Sequence, residues 1–132
     1  MTKSAKRFLI VDDDPLNNFL SKMVLKMSFG EVEVKDFLIP ELALEYIETE
    51  FEHNQHQEIV ILFLDINMPT LTGWDFLDKF KVFTEPLKNQ FTIYMLSSSI
   101  DPADIQRAQL NPLVKDFIEK PLSRDILAKI FS

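Results

Sequence analysis

The sequence contains no cysteine, only two glycines and no long apolar segment. The absence of cysteine excludes disulfide bonds, thiolate catalysis and Cys-based zinc sites. With Gly30 and Gly73 as its only glycines, the chain has no glycine-rich loop of the kind that holds nucleotide phosphates. No stretch approaches the roughly 20 apolar residues of a membrane-spanning helix, and none is typical of a signal peptide. We therefore expect a cytoplasmic protein without membrane insertion.

Basic residues are also scarce, because 14 Lys and Arg stand against 21 Asp and Glu, for a net charge of -7. An acidic surface repels phosphate backbones, which argues against a direct nucleic-acid partner. Hydrophobic residues make up 46% of the 132 positions, enough for the core of one domain and too many for a disordered chain. Residues 52–58 are polar and include both histidines, His53 and His56; we interpret them as a solvated connection rather than a metal site.

Five short strand patterns alternate with helical patterns along the chain. Three of them are apolar at almost every position, as is typical of strands buried on both faces of a sheet, namely residues 8–11, 59–64 and 91–96. Weaker patterns at 32–37 and 114–118 indicate two more strands. This alternation predicts an α/β domain with a doubly wound parallel sheet and five helices.

Two of the predicted helices have readable boundaries. Asp14 and Pro15 are the N-cap and first turn of the first helix, and Gly30 stops it. Between these limits, apolar residues recur at helical spacing, at Leu16, Phe19, Leu20, Met23, Val24 and Met27. The third helix begins at Gly73, carries apolar residues as far as Phe83 and is broken at Pro86.

Polar residues stand at four of the strand ends, the edge at which a parallel sheet binds ligands. They are Asp12 and Asp13 after the first strand, Asp65 after the third, Ser97 after the fourth and Lys120 after the fifth. Each residue alone has an ordinary interpretation as a turn or surface residue. Their coincidence at four separate ends favours one shared site. Three converging carboxylates repel one another and require a cation, for which oxygen ligands favour Mg²⁺ or Mn²⁺.

The same residues suit phosphoryl transfer. Asp65 follows the central strand and is the best-placed nucleophile for an acyl phosphate. The Lys120 ammonium and the Ser97 hydroxyl supply the positive charge and the hydrogen-bond donor that phosphoryl oxygens need. Asp12 and Asp13 are then the best candidates for cation ligands.

Four segments, taken in order, resemble the receiver domains of bacterial response regulators. They are Phe-Leu-Ile-Val-Asp-Asp-Asp-Pro at 8–15, Leu-Asp-Ile-Asn-Met-Pro at 64–69 with Gly73, Leu-Ser-Ser at 96–98, and Phe-Ile-Glu-Lys-Pro at 117–121. No segment is very specific alone, but the four together are, and they span nearly the whole chain. The resemblance implies a flavodoxin-like fold with strand order 2-1-3-4-5 and a cis bond before Pro121.

The resemblance also implies a reaction. Asp65 would accept a phosphoryl group from a phosphohistidine of a sensor histidine kinase or a histidine phosphotransfer protein. Asp13 would bind the metal directly together with Asp65, with Asp12 assisting and the backbone carbonyl of Asn67 as a further ligand.

A switch is implied as well. Ser97 would hydrogen-bond the phosphoryl group, Lys120 would pair with it, and Phe117 would turn inward behind Ser97. The surface of the fourth helix, fifth strand and fifth helix would then change its affinity for an unknown downstream protein. Asn67 and Ser99 would flank the route of the hydrolytic water, and because neither is charged we expect phosphate loss of ordinary or slow rate.

We therefore expect one receiver domain over residues 1–132, with its core at about 7–131 and no output domain. It would act as a signalling phosphoacceptor and not as an enzyme. Two alternatives stay open, a pseudo-receiver that serves as a protein-interaction scaffold and one domain of a larger regulator or hybrid kinase. A dehalogenase-type phosphatase is disfavoured, because Asn67 stands where that class has an aspartate as general acid.

Overall fold

Five parallel strands form the centre of the structure, a computed structural model that describes residues 7–52, 59–99 and 101–131. The strands are β1 (Arg7–Val11), β2 (Glu33–Phe37), β3 (Val60–Asp65), β4 (Phe91–Ser97) and β5 (Val114–Glu119). Their order in the sheet is β2-β1-β3-β4-β5, and each neighbouring pair is parallel. The predicted doubly wound, flavodoxin-like fold is confirmed. The polar connection predicted at 52–58, with His53 and His56, lies outside the described residues except for Glu52.

Six helices lie in the described part of the chain, one more than the sequence predicted. They are α1 (Pro15–Phe29), α2 (Pro40–Phe51), α3 (Gly73–Phe80), α4 (Glu85–Lys88), α5 (Pro102–Leu110) and α6 (Arg124–Ile130). The prediction that one helix continues from Gly73 to Pro86 was wrong. Instead α3 ends at Phe80, and Pro86 lies in the first turn of α4, where its missing N–H is not needed. The predicted fourth and fifth helices are therefore α5 and α6.

Side chains of the central strands alternate between two hydrophobic cores. Leu62 and Leu64 of β3 pack on the side of α2 and α3, whereas Ile61 and Phe63 pack on the side of α1 and α6. Successive strand residues point to opposite faces of a sheet, so a strand covered on both faces is apolar throughout. This double burial fixes β3 at the centre of the sheet, with Asp65 at its carboxyl end.

The first helix turns most of its apolar stripe toward solvent. Five of the stripe residues are 43–63% exposed, namely Leu16, Phe19, Leu20, Met23 and Met27. The buried side chains of α1 are Asn18, Ser21 and Leu25. The amide nitrogen of Asn18 donates to the backbone carbonyl of Asp12 at 3.0 Å and to that of Phe37 at 3.5 Å, whereas its Oδ1 is buried without a hydrogen-bond partner among the described residues. The apolar period predicted the helix correctly, but these five residues form no part of the core.

The predicted boundary residues of α1 act as expected. The Asp14 carboxylate accepts hydrogen bonds from the backbone N–H groups of Leu16 and Asn17, which caps the helix. Gly30 ends it with a φ of 75°, a backbone conformation that favours glycine. The bond between Lys120 and Pro121 is cis, as the resemblance implied. Within the described ranges, no helix combines the length and the apolar character needed to cross a membrane.

Candidate functional site

The carboxyl edge of the sheet brings together the five site residues that were predicted at the strand ends. Asp12 and Asp13 directly follow β1, Asp65 and Ser97 are the last residues of β3 and β4, and Lys120 directly follows β5. Because β3 pairs with β1 on one side and β4 on the other, Asp65 lies between the other side chains. Asp12, Asp65 and Ser97 are buried, whereas Asp13 is exposed at the mouth of the site.

Lys120 bridges two of the carboxylates. Its Nζ lies 2.7 Å from Oδ2 of Asp12 and 3.1 Å from Oδ1 of Asp65. Ionised pairs at these distances are the stronger class of hydrogen bond, and burial of the two carboxylates reduces their screening by water. The ammonium group is therefore held at the centre of the site by the acidic side chains themselves.

The carboxylate of Asp12 is fixed by two further donors. Its Oδ1 accepts a 2.9 Å bond from the backbone N–H of Asp14, and its Oδ2 accepts a 2.6 Å bond from the side-chain amide of Asn17. The carbonyl of Asp12 accepts the bond from Asn18 described above, and its N–H donates to the carbonyl of Phe37 at 3.1 Å. Backbone and side chain of Asp12 are thus both held in one arrangement.

Burial is the main influence on the acidity of Asp65. It raises the pKa of Asp65 to about 6, and the nearby charge of Asp12 adds to the rise, although Lys120 partly opposes it. Burial also acts to lower the pKa of Lys120, but its hydrogen bond to Asp12 and the two negative charges outweigh this, so that its pKa lies above the ordinary value. One ammonium group is therefore insufficient to balance the carboxylates, and the site has a need for further positive charge.

A divalent cation fits this need. One carboxylate oxygen each from Asp12, Asp13 and Asp65 lies within 4.8 Å of the others. Oxygen ligands of this kind suit Mg²⁺ or Mn²⁺, which bind through a few carboxylates and retain water molecules. The raised pKa of Asp65 shows that its negative charge is not fully balanced. Asp13 is exposed beside it, so an ion can reach the carboxylates from solvent. The residues present therefore fit the metal that the sequence predicted.

The hydroxyl of Ser97 is engaged with its own loop. Its Oγ donates a 2.8 Å hydrogen bond to the backbone carbonyl of Ser99 and accepts a 3.3 Å bond from the Ser99 N–H. The carbonyl of Ser97 accepts a 2.8 Å bond from the N–H of Lys120, which links the ends of β4 and β5. The hydroxyl must therefore leave the Ser99 carbonyl before it can donate to any other group.

The loop after β3 approaches Asp65 closely from two directions. The backbone N–H of Asn67 donates a 3.4 Å hydrogen bond to Oδ1 of Asp65. Gly73, at the start of α3, donates to the carbonyl of Ile66 at 2.8 Å. A Cβ atom at Gly73 would stand only 2.6 Å from the carbonyl oxygen of Asp65. A hydrogen atom at this position is what allows α3 to pack directly behind Asp65.

Phe117 lies in the middle of β5, opposite Met95 of β4. Its ring is half-buried and packs against the core on the α2 and α3 side. Along the sheet, it is three residues before Lys120 and is adjacent to the strand that ends at Ser97. It thus lies two residues before Glu119, which pairs with Ser97.

Comparison with known proteins identifies the family of the chain. Residues 8–132 match the family described as the response regulator receiver domain. The chain belongs to this family. Among curated proteins, the two-component response regulator ORR1 of Oryza sativa is 31% identical over 127 residues, which cover 94% of this chain and 53% of that protein. The receiver therefore spans about half the length of this relative.

Solved receiver structures have the same fold. A two-component response regulator from Cytophaga hutchinsonii is 29% identical with a TM-score of 0.86, and the match covers 98% of this chain and 96% of that one. A response regulator receiver protein from Dyadobacter fermentans is 25% identical with a TM-score of 0.80, covering 95% and 97%. These similarities extend over essentially complete chains, so the family assignment does not depend on the site residues alone.

Two contacts were missed at the sequence level. The amide of Asn17 reaches back to Asp12, and the indole of Trp74 donates a 3.3 Å hydrogen bond to Asp104. The signal for Asn17 was its place in the first turn of α1, five residues after Asp12, beside the Asp14 cap. For Trp74, the available clue in the sequence was that the single tryptophan of the chain directly follows Gly73.

Proposed function

We propose that this receiver accepts a phosphoryl group on Asp65 from a phosphohistidine of a histidine kinase or a histidine phosphotransfer protein. The observation that carries the proposal is the bridge that Lys120 forms between Asp12 and Asp65 at the edge of a receiver sheet. It joins a buried carboxylate nucleophile to a fixed positive charge in one open site. The receiver then acts as a signalling phosphoacceptor, and each phosphorylated donor transfers one phosphoryl group to one receiver.

The transfer itself is a displacement at phosphorus. A carboxylate oxygen of Asp65 forms a bond to phosphorus while the bond between phosphorus and the imidazole nitrogen breaks, and the electron pair leaves with the imidazole. The result is an acyl phosphate on Asp65 and a histidine ready for proton uptake. Lys120 already contacts Asp65 at 3.1 Å, so its ammonium group can pair with the incoming phosphoryl oxygens without a large movement.

Asp12, Asp13, Asp65 and the backbone carbonyl of Asn67 would hold Mg²⁺ or Mn²⁺. When bound, the cation supplies positive charge that offsets the charge of the phosphoryl oxygens in the transition state. Asp12 and Asp65 are buried and immobilised by hydrogen bonds, which suits the precise positioning of ligands, and the exposed Asp13 leaves the mouth of the site accessible.

The switch depends on Ser97. Its hydroxyl exchanges the carbonyl of Ser99 for a phosphoryl oxygen, which moves the end of β4 toward Asp65. Phe117 can then turn into the space behind it. Between β5 and α6, a groove of about 550 Å³ is lined by Phe117, Lys120 and Ile126, among others, so a rotation of Phe117 changes a surface that a downstream protein can contact. The shift is a change in population between two states of α5, β5 and α6.

The lifetime of the acyl phosphate is set by the residues at the mouth. Asn67 and Ser99 are both exposed and uncharged, so neither can act as a strong general base toward water. We expect loss of phosphate at an ordinary or slow rate. A faster loss that stays unchanged when both are replaced by alanine contradicts this role.

The exposed stripe of α1 is the surface proposed for the phosphodonor protein. Helix α1 starts three residues after Asp12, so its first turns border the site mouth. Its 15 residues include no acidic residue, although the whole chain has a net charge of -7. Of its two lysines, Lys22 pairs with Asp36 at 2.8 Å, and Lys26 is exposed. Apolar residues beside the basic Lys26 suit a donor whose helices expose apolar and acidic side chains.

Intact-mass measurement tests the reaction. The protein is incubated with Mg²⁺ and a small phosphodonor, beside Asp65→Asn and beside a sample with EDTA. The expected result is a gain of one phosphoryl group that requires the metal and is absent from the Asp65→Asn protein. Absence of any gain, from the small donor and from phosphorylated histidine proteins alike, would instead favour the pseudo-receiver, a scaffold that is never phosphorylated.

A further inference from the structure

The two carboxylate oxygens of Asp12 are not equally occupied. Oδ2 accepts from the Asn17 amide at 2.6 Å and from Lys120 at 2.7 Å, whereas among the described residues Oδ1 accepts from the N–H of Asp14 alone, at 2.9 Å. Each carboxylate oxygen has about two lone pairs for acceptance. Oδ2 is therefore saturated, and Oδ1 retains one open position.

We propose that Asn17 is a positioning residue, which holds Asp12 so that Oδ1 faces the cation and thereby sets the affinity of the receiver for divalent metal. This inference rests on the proposed function, because it assumes that the acidic site binds a cation. It goes further in giving a role to a side chain on α1 that belongs to none of the strand ends.

Asn17 suits this role because it is itself fixed and uncharged. Its backbone N–H is part of the Asp14 cap at the start of α1, so its side chain approaches Asp12 from a rigid first turn. An amide donates a hydrogen bond without adding a charge that would repel a cation. Groups that orient a metal ligand from outside the coordination sphere commonly change metal affinity by about 10–100-fold when removed.

Lys120 alone cannot hold the Asp12 carboxylate in this orientation. Its ammonium group is shared between Asp12 and Asp65, and in the proposed reaction it pairs with the phosphoryl group. When it turns toward phosphate, its bond to Oδ2 of Asp12 weakens. Asn17 is then the side-chain donor that still restrains the carboxylate.

The neighbouring Asn18 contacts the backbone of Asp12 and not its carboxylate, so its role differs from that of Asn17. Its amide donates to the backbone carbonyl of Asp12, and its side chain is buried between α1 and the sheet. Asn18 thus supports the chain, whereas Asn17, which is only half-buried, contacts the carboxylate. Substitution of Asn17 is expected to preserve the fold while it frees the Asp12 side chain.

The test measures metal binding directly. Mn²⁺ is titrated into the metal-free protein, and free Mn²⁺ is followed by electron paramagnetic resonance. Asn17→Leu removes the donor at similar size, Asn17→Gln retains an amide on a longer stem, and Asn89→Leu makes the same change at the exposed end of α4. Asn17→Ala is a second donor-free variant that avoids any packing problem with leucine.

The expected result is a rise of about tenfold or more in the Kd for Mn²⁺ in both donor-free variants. Asn17→Gln should recover most of the affinity, and Asn89→Leu should bind as the native chain does. With a small phosphodonor, the Mg²⁺ concentration for half-maximal phosphorylation should rise in Asn17→Leu while the rate at saturating Mg²⁺ changes little. This split is not expected from general damage to the fold.

Unchanged or tighter Mn²⁺ binding in folded Asn17→Leu and Asn17→Ala overturns the inference, while native phosphorylation leaves the proposed function intact. A native chain that binds no divalent cation overturns both. Far-ultraviolet circular dichroism and urea unfolding in EDTA establish that each variant is folded before it is compared.

Discussion

The indole N–H of Trp74 donates a 3.3 Å hydrogen bond to Oδ1 of Asp104, and so joins the start of α3 to the first turn of α5. The guanidinium of Arg107 lies 4.6 Å from the centre of the Trp74 ring, a distance typical of a cation–π contact. Among the residues of α5, only Ala108 is buried. Helix α5 packs along β5 and buries Ala108 in the core, and Trp74 adds a hydrogen bond and a cation–π contact from the start of α3.

Replacement of Trp74 by phenylalanine should loosen α5. The hydrogen bond is lost, the cation–π contact weakens and part of the indole volume is left empty, which together should cost about 1–3 kcal/mol of unfolding free energy. Urea unfolding measures the loss. Arg107→Ala, which keeps the hydrogen bond to Asp104, should cost less. Equal stability of Trp74→Phe and the native chain contradicts the expected attachment.

The positions of the site residues could be predicted from the sequence because each depends on local pattern. A strand buried on both faces is apolar along its length, so the first polar residue, such as Asp65, marks its end. Parallel pairing then brings all such ends to one edge. The order of the strands was not available from pattern, because pairing is decided by contacts distant in sequence; it came from the resemblance to receivers.

The exposed side of α1 could not be predicted in the same way. An apolar period indicates a helix, but which side faces the sheet depends on what the neighbouring elements offer. Here the sheet edge offers backbone carbonyls of Asp12 and Phe37, which accept from the Asn18 amide, so Asn18 is buried. The contact of Asn17 with Asp12 was missed for a related reason, since it requires the orientation of α1 relative to β1.

Gly73→Ala should displace the backbone of Asp65 and so disturb the site. The new Cβ would lie 2.6 Å from the carbonyl oxygen of Asp65 and 3.0 Å from Cα of Ile66, both backbone atoms that cannot easily move. Overpacking of this kind costs about 1–3 kcal/mol, and the shift of Asp65 should slow phosphorylation by a small donor. Both effects are measurable, by urea unfolding and by intact mass over time.

Gly30→Ala is the matched control for this change. Gly30 has a φ of 75° and no atom within 4 Å of a Cβ, so alanine is strained there by about 1–3 kcal/mol without any contact with the site. It should reduce stability but leave the phosphorylation rate of the folded protein unchanged. If both variants slow phosphorylation equally, the close approach of Gly73 to Asp65 is not the cause.

The exposed stripe of α1 should matter for protein donors and not for small ones. Phe19→Ala and Met23→Ala remove side chains that are 59% and 43% exposed, so the fold should be retained. Transfer from a phosphorylated histidine protein should fall by about fivefold or more if these residues are interface anchors worth over ~1 kcal/mol. Phosphorylation by a small donor should not change.

Val82→Ala is the control, at the most exposed apolar side chain described. It should change neither transfer from the histidine protein nor phosphorylation by the small donor. An equal loss of transfer with Val82→Ala would argue against α1 as the docking face.

The raised pKa of Asp65 predicts how the metal-free protein responds to pH. In the folded state, Asp65 holds its proton up to about pH 6, whereas its ordinary pKa is 3.8. The folded state therefore binds more protons than the unfolded state between these values, so stability falls as pH rises through this window and is then constant with respect to this group.

Asp65→Asn has no such group, and Lys120 remains charged in both proteins throughout the window. In EDTA, the native chain should lose stability relative to Asp65→Asn from about pH 4 to pH 7, on the order of 1–2 kcal/mol after allowance for solvent screening at the open mouth. Urea unfolding of both proteins across this range measures the difference, and Mg²⁺ should abolish the loss in the native chain. A difference independent of pH would mean that Asp65 is not disfavoured as a charged group.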